Sequence, residues 1–265
     1  MAAPTARRVF VPVLGLLVAG AWLALWAWSL SPYARYLDHG DLTVAGPLVD
    51  ICRSIPGGSF IVPAALSGAA WVLMCAAMML PTTAPLFGLF DRLTLGRSDR
   101  VLLFALLALG YVSVWAAFGV AAHAAHAALL AGAGAVPAVA ARGWPAGAAI
   151  IALAGAFQFS PLKYRCLEKC RTPLSFVMQY WRGRAEAAQA FRLGVHHGIF
   201  CVGCCWALML LMFVVGSGNL GWMLALAAVM AVEKNLPWGR RMSAPLGFAL
   251  LAWAALLVAV NLTGY

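Results

Sequence analysis

Gly194-Val195-His196-His197-Gly198-Ile199-Phe200-Cys201-Val202-Gly203-Cys204-Cys205-Trp206-Ala207-Leu208-Met209-Leu210-Leu211-Met212-Phe213-Val214-Val215 runs without a charged side chain. It exceeds the roughly 20 apolar residues that a helix needs to cross a bilayer. Two imidazoles and three thiols lead into the apolar run. At about 100° per residue, His197, Cys201, Cys204, Cys205, Met209 and Met212 fall within an arc of about 140°, so one helix face carries nearly every soft donor. Thiolate and thioether sulfur prefer Cu(I), zinc and iron–sulfur species, and imidazole suits most first-row metals. Copper(I) is the favoured metal and zinc the second candidate. The alternative is that these are ordinary small or flexible apolar residues of a buried helix.

The rest of the chain agrees with a membrane helix. Of 265 residues, 64% are hydrophobic and 10% charged, and the mean hydropathy is +0.90, outside the range of soluble domains. The apolar runs are unbroken rather than alternating, which excludes a β-barrel and leaves helices. The expected fold is all-α, a single integral membrane domain over residues 1–265. It is a polytopic bundle of about seven spans, near 9–30, 62–86, 101–130, 146–160, 194–215, 220–234 and 245–260. Pro81 and Pro85 are expected to kink or stop the second. A charged cytoplasmic loop, 161–193, separates the fourth span from the fifth.

Charge bias sets the orientation. With the N-terminus inside, only Arg35, Arg53 and Arg142 of the 18 Lys and Arg residues fall outside, a strong positive-inside pattern. The net charge of +10 is thereby assigned to topology and not to nucleic acid. The expected location is a bacterial inner membrane, with the lipid bilayer as the first partner. All cysteines except Cys52 then lie in the membrane or on the reducing side, which disfavours a disulfide framework.

Three further clusters carry possible chemistry. In the second span, Met74, Cys75, Met78 and Met79 share one face, and thioethers bind Cu(I) without deprotonating. A Met-rich packing contact is the other reading. In the loop, Cys166 and Cys170 stand at i and i+4 among four cations, Lys163, Arg165, Lys169 and Arg171, which favour thiolate. Met230, Glu233 and Lys234 mark the end of the sixth span, where an ionisable pair is a candidate site or a snorkelling boundary. His123 and His126 form a weaker candidate for an outer metal or haem site. There is no P-loop, dinucleotide fingerprint, His-Glu-x-x-His or nucleophile elbow, so ATP-driven pumping by this chain alone is not expected.

The strings Met74-x-x-x-Met78-Met79-x-Pro81-x-x-x-Pro85, Ser160-Pro161-Leu162-Lys163-x-x-Cys166-x-x-x-Cys170-Arg171-x-Pro173 and His197-Gly198-x-x-Cys201-x-Gly203-Cys204-Cys205-Trp206 resemble a bacterial family of predicted metal-binding integral membrane proteins, classed as a domain of unknown function. Asn219-Leu220-x-Trp222-Met223 and Glu233-Lys234 followed by Pro237 extend the likeness over most of the chain after the first span. Cys75 and His196 fall outside the positions that carry it. The resemblance implies metal binding without naming metal or reaction.

The expected ligands are Met74, Met78, Met79, Cys166, Cys170, His197, Cys201, Cys204, Cys205, Met209 and Glu233. The expected function is Cu(I) transport across the membrane or delivery within it, with a soluble metallochaperone or a membrane enzyme as partner. The alternatives are a membrane thiol–disulfide oxidoreductase and a structural subunit of a larger complex.

Overall fold

The computed structural model describes residues 4–32, 61–134, 143–182, 185–216 and 219–263. The polar segment holding Asp38, His39, Asp41, Asp50 and Cys52, the turn with Arg142 and the side chain of His126 lie outside the described residues. The described chain is helical: α1 Pro4–Ser29, α2 Ile61–Leu93, α3 Arg100–Gly134, α4 Trp144–Phe157, α5 Pro161–Arg171, α6 Pro173–Tyr180, α7 Glu186–Leu210, α8 Met212–Val215, α9 Leu220–Asn235 and α10 Ser243–Thr263, the last preceded by a 3-10 turn at Gly239–Met242.

Among the described residues, four stretches are long and apolar enough to cross a membrane: Gly68–Leu93, Arg100–Ala125, Glu186–Val215 and Gly239–Thr263. A fifth is added if α4 and α5, bent by 63°, count as one. Seven spans were expected. All seven apolar segments contain helix, but in α1 the apolar part is the short Leu14–Ser29, and α9 has only 16 residues. The expected cytoplasmic loop is also different, because α5 and α6 fold within it.

Two local features shape the site. Pro81 and Pro85 lie inside α2, which runs on to Leu93 instead of stopping. Each proline removes a backbone donor. In the same turns Thr82 Oγ1 donates to the Met79 carbonyl at 2.8 Å and Thr83 Oγ1 to the Leu80 carbonyl at 2.9 Å. Hydroxyls thus supply extra bonds where proline weakens the ladder. At the end of α4 the chain breaks at 158–160. Ser160 Oγ accepts from the Leu162 backbone N–H at 3.2 Å and Pro161 occupies the first turn, so α5 starts in a new direction.

The central helix is α7: 67% of its spanning window is buried inside the protein, against 17% for α10. Its closest partner is α3, and glycine is the reason. A Cβ on Gly194 would collide with the Leu107 carbonyl, and one on Gly198 would lie 2.9 Å from Val114 Cβ and 3.2 Å from the Tyr111 carbonyl. The pair Gly194 and Gly198 therefore forms a small-xxx-small face that lets two membrane helices touch backbone to backbone. At the polar end, Arg97 in the α2–α3 turn binds Asp99 and reaches Glu186 at the start of α7.

Replacing Gly194 by Leu is expected to force these helices apart, at about 1–3 kcal/mol for overpacking. The thermal midpoint in detergent should fall, while Gly68→Ala, whose Cβ would meet nothing within 4 Å, should leave it unchanged or raised. Equal midpoints for the two variants would contradict this packing.

Candidate metal centre

Thiols from two helices meet in the core. On α7, Cys204 Sγ donates to the Cys201 carbonyl at 3.1 Å and Cys205 Sγ to the same carbonyl at 2.9 Å. From α5, the Cys170 thiol comes within electrostatic reach of both Cys201 and Cys204. Cys166 lies on the same side, so close that a Cβ on Gly203 would stand 2.6 Å from its Sγ. Gly203 is thus the notch that admits α5 to α7. Cys201, Cys204, Cys205 and Cys166 are buried, and every cysteine of the described residues is free.

Lys234 of α9 points into this cluster. Its Nζ lies 3.0 Å from Cys201 Sγ, 3.9 Å from Cys205 Sγ, 3.7 Å from Met79 Sδ and 3.4 Å from Thr82 Oγ1. The Tyr111 hydroxyl of α3 stands 3.1 Å from Cys201 Sγ on a ring packed 5.7 Å from that of His197. His197 is also flanked by Phe176 at 5.5 Å, and its buried Nδ1 has no hydrogen-bond partner. An orphaned ring nitrogen costs desolvation free energy unless a ligand fills it.

Residues 68–257 match the model of the PpoB2 family, described as a copper chaperone. The chain belongs to this family. The matched segment holds every thiol, thioether and imidazole just described, from Met79 to Lys234. No curated protein matches the chain, and no solved structure does.

The expected ligands of this copper chaperone family member separate into groups. Cys170, Cys201, Cys204 and Cys205 come together, with Met79 reaching them through Lys234 and Cys166 beside them. Cys75 is buried within electrostatic reach of Cys201 and Lys234. Met74, Met78 and Met209 are buried in the helical core. His196 turns away: its Nδ1 meets the Arg192 carbonyl at 2.8 Å and its ring packs on Tyr180 at 4.4 Å. Among the described residues, no three His, Cys, Asp or Glu side chains are already set as a metal cage. The thiols of Cys204 and Cys205 instead donate to backbone, and Cys201 and Cys205 face Lys234, so any cage requires side-chain rotation.

Glu233 is engaged elsewhere. Its Oε1 accepts from Lys163 Nζ at 2.6 Å and from Ser243 Oγ at 2.7 Å, and Lys163 also donates to Gln158. All four side chains are buried. Two more of the cations expected around the loop thiols are similarly committed: Arg171 binds the carbonyls of Glu233 and Pro237, and Lys169 binds Gln179. The cation at the thiols is Lys234. Tyr111 and Lys163 were absent from the expected site; a lone phenol in mid-helix and a lysine just after a Ser-Pro helix start were the signals available.

Removing one partner of a buried pair leaves an uncompensated charge, which costs about 3–5 kcal/mol. Glu233→Ala is therefore expected to lower the detergent melting midpoint sharply, and the double change Lys163→Met with Glu233→Met to recover much of the loss. A double variant as unstable as Glu233→Ala would show that the pair is not the source of the effect.

Proposed function

We propose that this protein holds Cu(I) in the sulfur pocket between α2, α5, α7 and α9, as an integral membrane protein, and hands the ion to a copper-requiring partner. The observation that carries the reading is the convergence of Cys170, Cys201, Cys204 and Cys205 from two helices, with the thioether of Met79 facing the same Lys234 ammonium. Copper is cargo here. A donor set of thiol and thioether suits a soft monovalent ion, and Cu(I) is content with two or three such ligands drawn from a larger set. Surplus donors permit stepwise exchange, with one sulfur joining the ion as another leaves.

Cys166, Cys170 and His197 are proposed as the entry and exit ligands, since α5 is a short helix against the notch at Gly203 and Cys170 on it is only half-buried. Met74, Met78 and Met209 extend the thioether surface deeper in the bundle. The positive-inside pattern supports a cytoplasmic N-terminus and a bacterial inner membrane location. Delivery is preferred to transmembrane transport because the family is described as a copper chaperone.

Purified protein loaded anaerobically with Cu(I) and desalted should retain stoichiometric copper by elemental analysis. The triple change Cys201→Ser, Cys204→Ser and Cys205→Ser should lose it while eluting as the same species on gel filtration. Copper retained by the triple variant, or none bound by the wild type, would refute the assignment.

A further inference from the structure

Lys234 marks the pocket in the copper reading but has no task there so far, yet its side chain occupies the middle of it. Its Nζ contacts three of the proposed sulfur donors, Met79 Sδ at 3.7 Å, Cys201 Sγ at 3.0 Å and Cys205 Sγ at 3.9 Å, from three different helices counting its own. A metal held jointly by those sulfurs would sit among them, where the ammonium now stands. Two cations cannot share that place.

Resting on the proposed copper function, we propose that the Lys234 ammonium is a tethered stand-in for the metal, and that incoming Cu(I) takes its place among Met79, Cys201 and Cys205. Bonds from copper to the Cys201 thiolate and the Met79 thioether form as the ammonium's hydrogen bonds to Cys201, Cys205 and Thr82 break, and the Cys205 thiol keeps its proton on the Cys201 carbonyl. No electron moves, and the copper stays monovalent. One singly charged cation replaces another, so the pocket's net charge is unchanged, which matters where uncompensated buried charge is expensive. A divalent ion in the same exchange would leave one charge in excess. Lys234 is thereby a specificity-determining residue for monovalent metal.

The displaced side chain has somewhere to go. Lys234 sits in the last turn of α9, and Asn235, Pro237 and Trp238 just beyond it are exposed. Glu233 cannot receive it, because Lys163 and Ser243 already bind the Glu233 carboxylate. The ammonium therefore leaves toward the surface beyond the end of α9, and metal loading is read out there.

The test is reductive methylation of the wild-type protein with formaldehyde and a borane, apo and after anaerobic Cu(I) loading, followed by peptide mass spectrometry. Lys234 should be protected in the apo protein and modified once copper is bound, while Lys163 stays protected in both states. Lys234 protected equally in the copper-loaded protein overturns the proposal, with the copper function intact. A protein that binds no copper fails at the earlier reading instead. As a second measurement, Lys234→Met should bind Cu(I) about tenfold tighter than wild type in competition with a chromophoric chelator, since no charge-assisted contacts need breaking. Equal or weaker binding by a folded Lys234→Met protein also overturns it.

Discussion

The buried ion pair between Lys163 and Glu233 is the joint on which the sulfur cluster depends. Lys163 is fully buried and lies 2.6 Å from the carboxylate, where water cannot compensate either charge. On α5 the residues at 163, 166 and 170 lie within about 60° of one another. Fixing Lys163 against α9 therefore fixes the rotation of α5, and with it the direction in which Cys166 and Cys170 face. Without that anchor the α4–α5 bend would have no preferred roll, and the two thiols would have no reason to meet α7.

Glu233 and Lys234 are adjacent, and on a helix adjacent side chains diverge by about 100°. The same turn of α9 thus serves two networks. Glu233 reaches α5 and the start of α10 through Lys163 and Ser243, and Lys234 reaches α2 and α7 through Met79, Cys201 and Cys205. Because Lys234 has no carboxylate partner among the described residues, its charge is directed to sulfur. The asymmetry of the doublet gives one half a structural task and leaves the other half exchangeable.

Helical class and the grouping of Cys201, Cys204 and Cys205 were legible because both follow from period and composition, which are local properties. What was not legible depends on contacts between distant segments. The loop thiols read as surrounded by cations, yet Lys163, Lys169 and Arg171 are all spoken for by partners far along the chain or on α6, and the cation at the thiols comes from residue 234. Glu233 read as a ligand because sequence shows its proximity to the apolar boundary but not its pairing. Pro81 and Pro85 read as breakers because their lost donors are visible in sequence, whereas the Thr82 and Thr83 hydroxyl bonds to the Met79 and Leu80 carbonyls in the same turns are not. The glycines at 194 and 198 matter only once α3 is laid against them.

The charge ledger of the interior also argues about which cation the fold can accept. The buried carboxylates among the described residues are Asp91 and Glu233, and each has its own cation: Arg100 lies 3.1 Å from Asp91, and Lys163 holds Glu233. No buried carboxylate is left over for a hard ion such as magnesium or calcium, which requires oxygen ligands. What remains unpaired by charge in the core is sulfur, together with the orphaned nitrogen of His197. An interior that neutralises its oxygen anions internally and leaves thiols facing a single ammonium suits a soft, singly charged cation, which is the cargo proposed above.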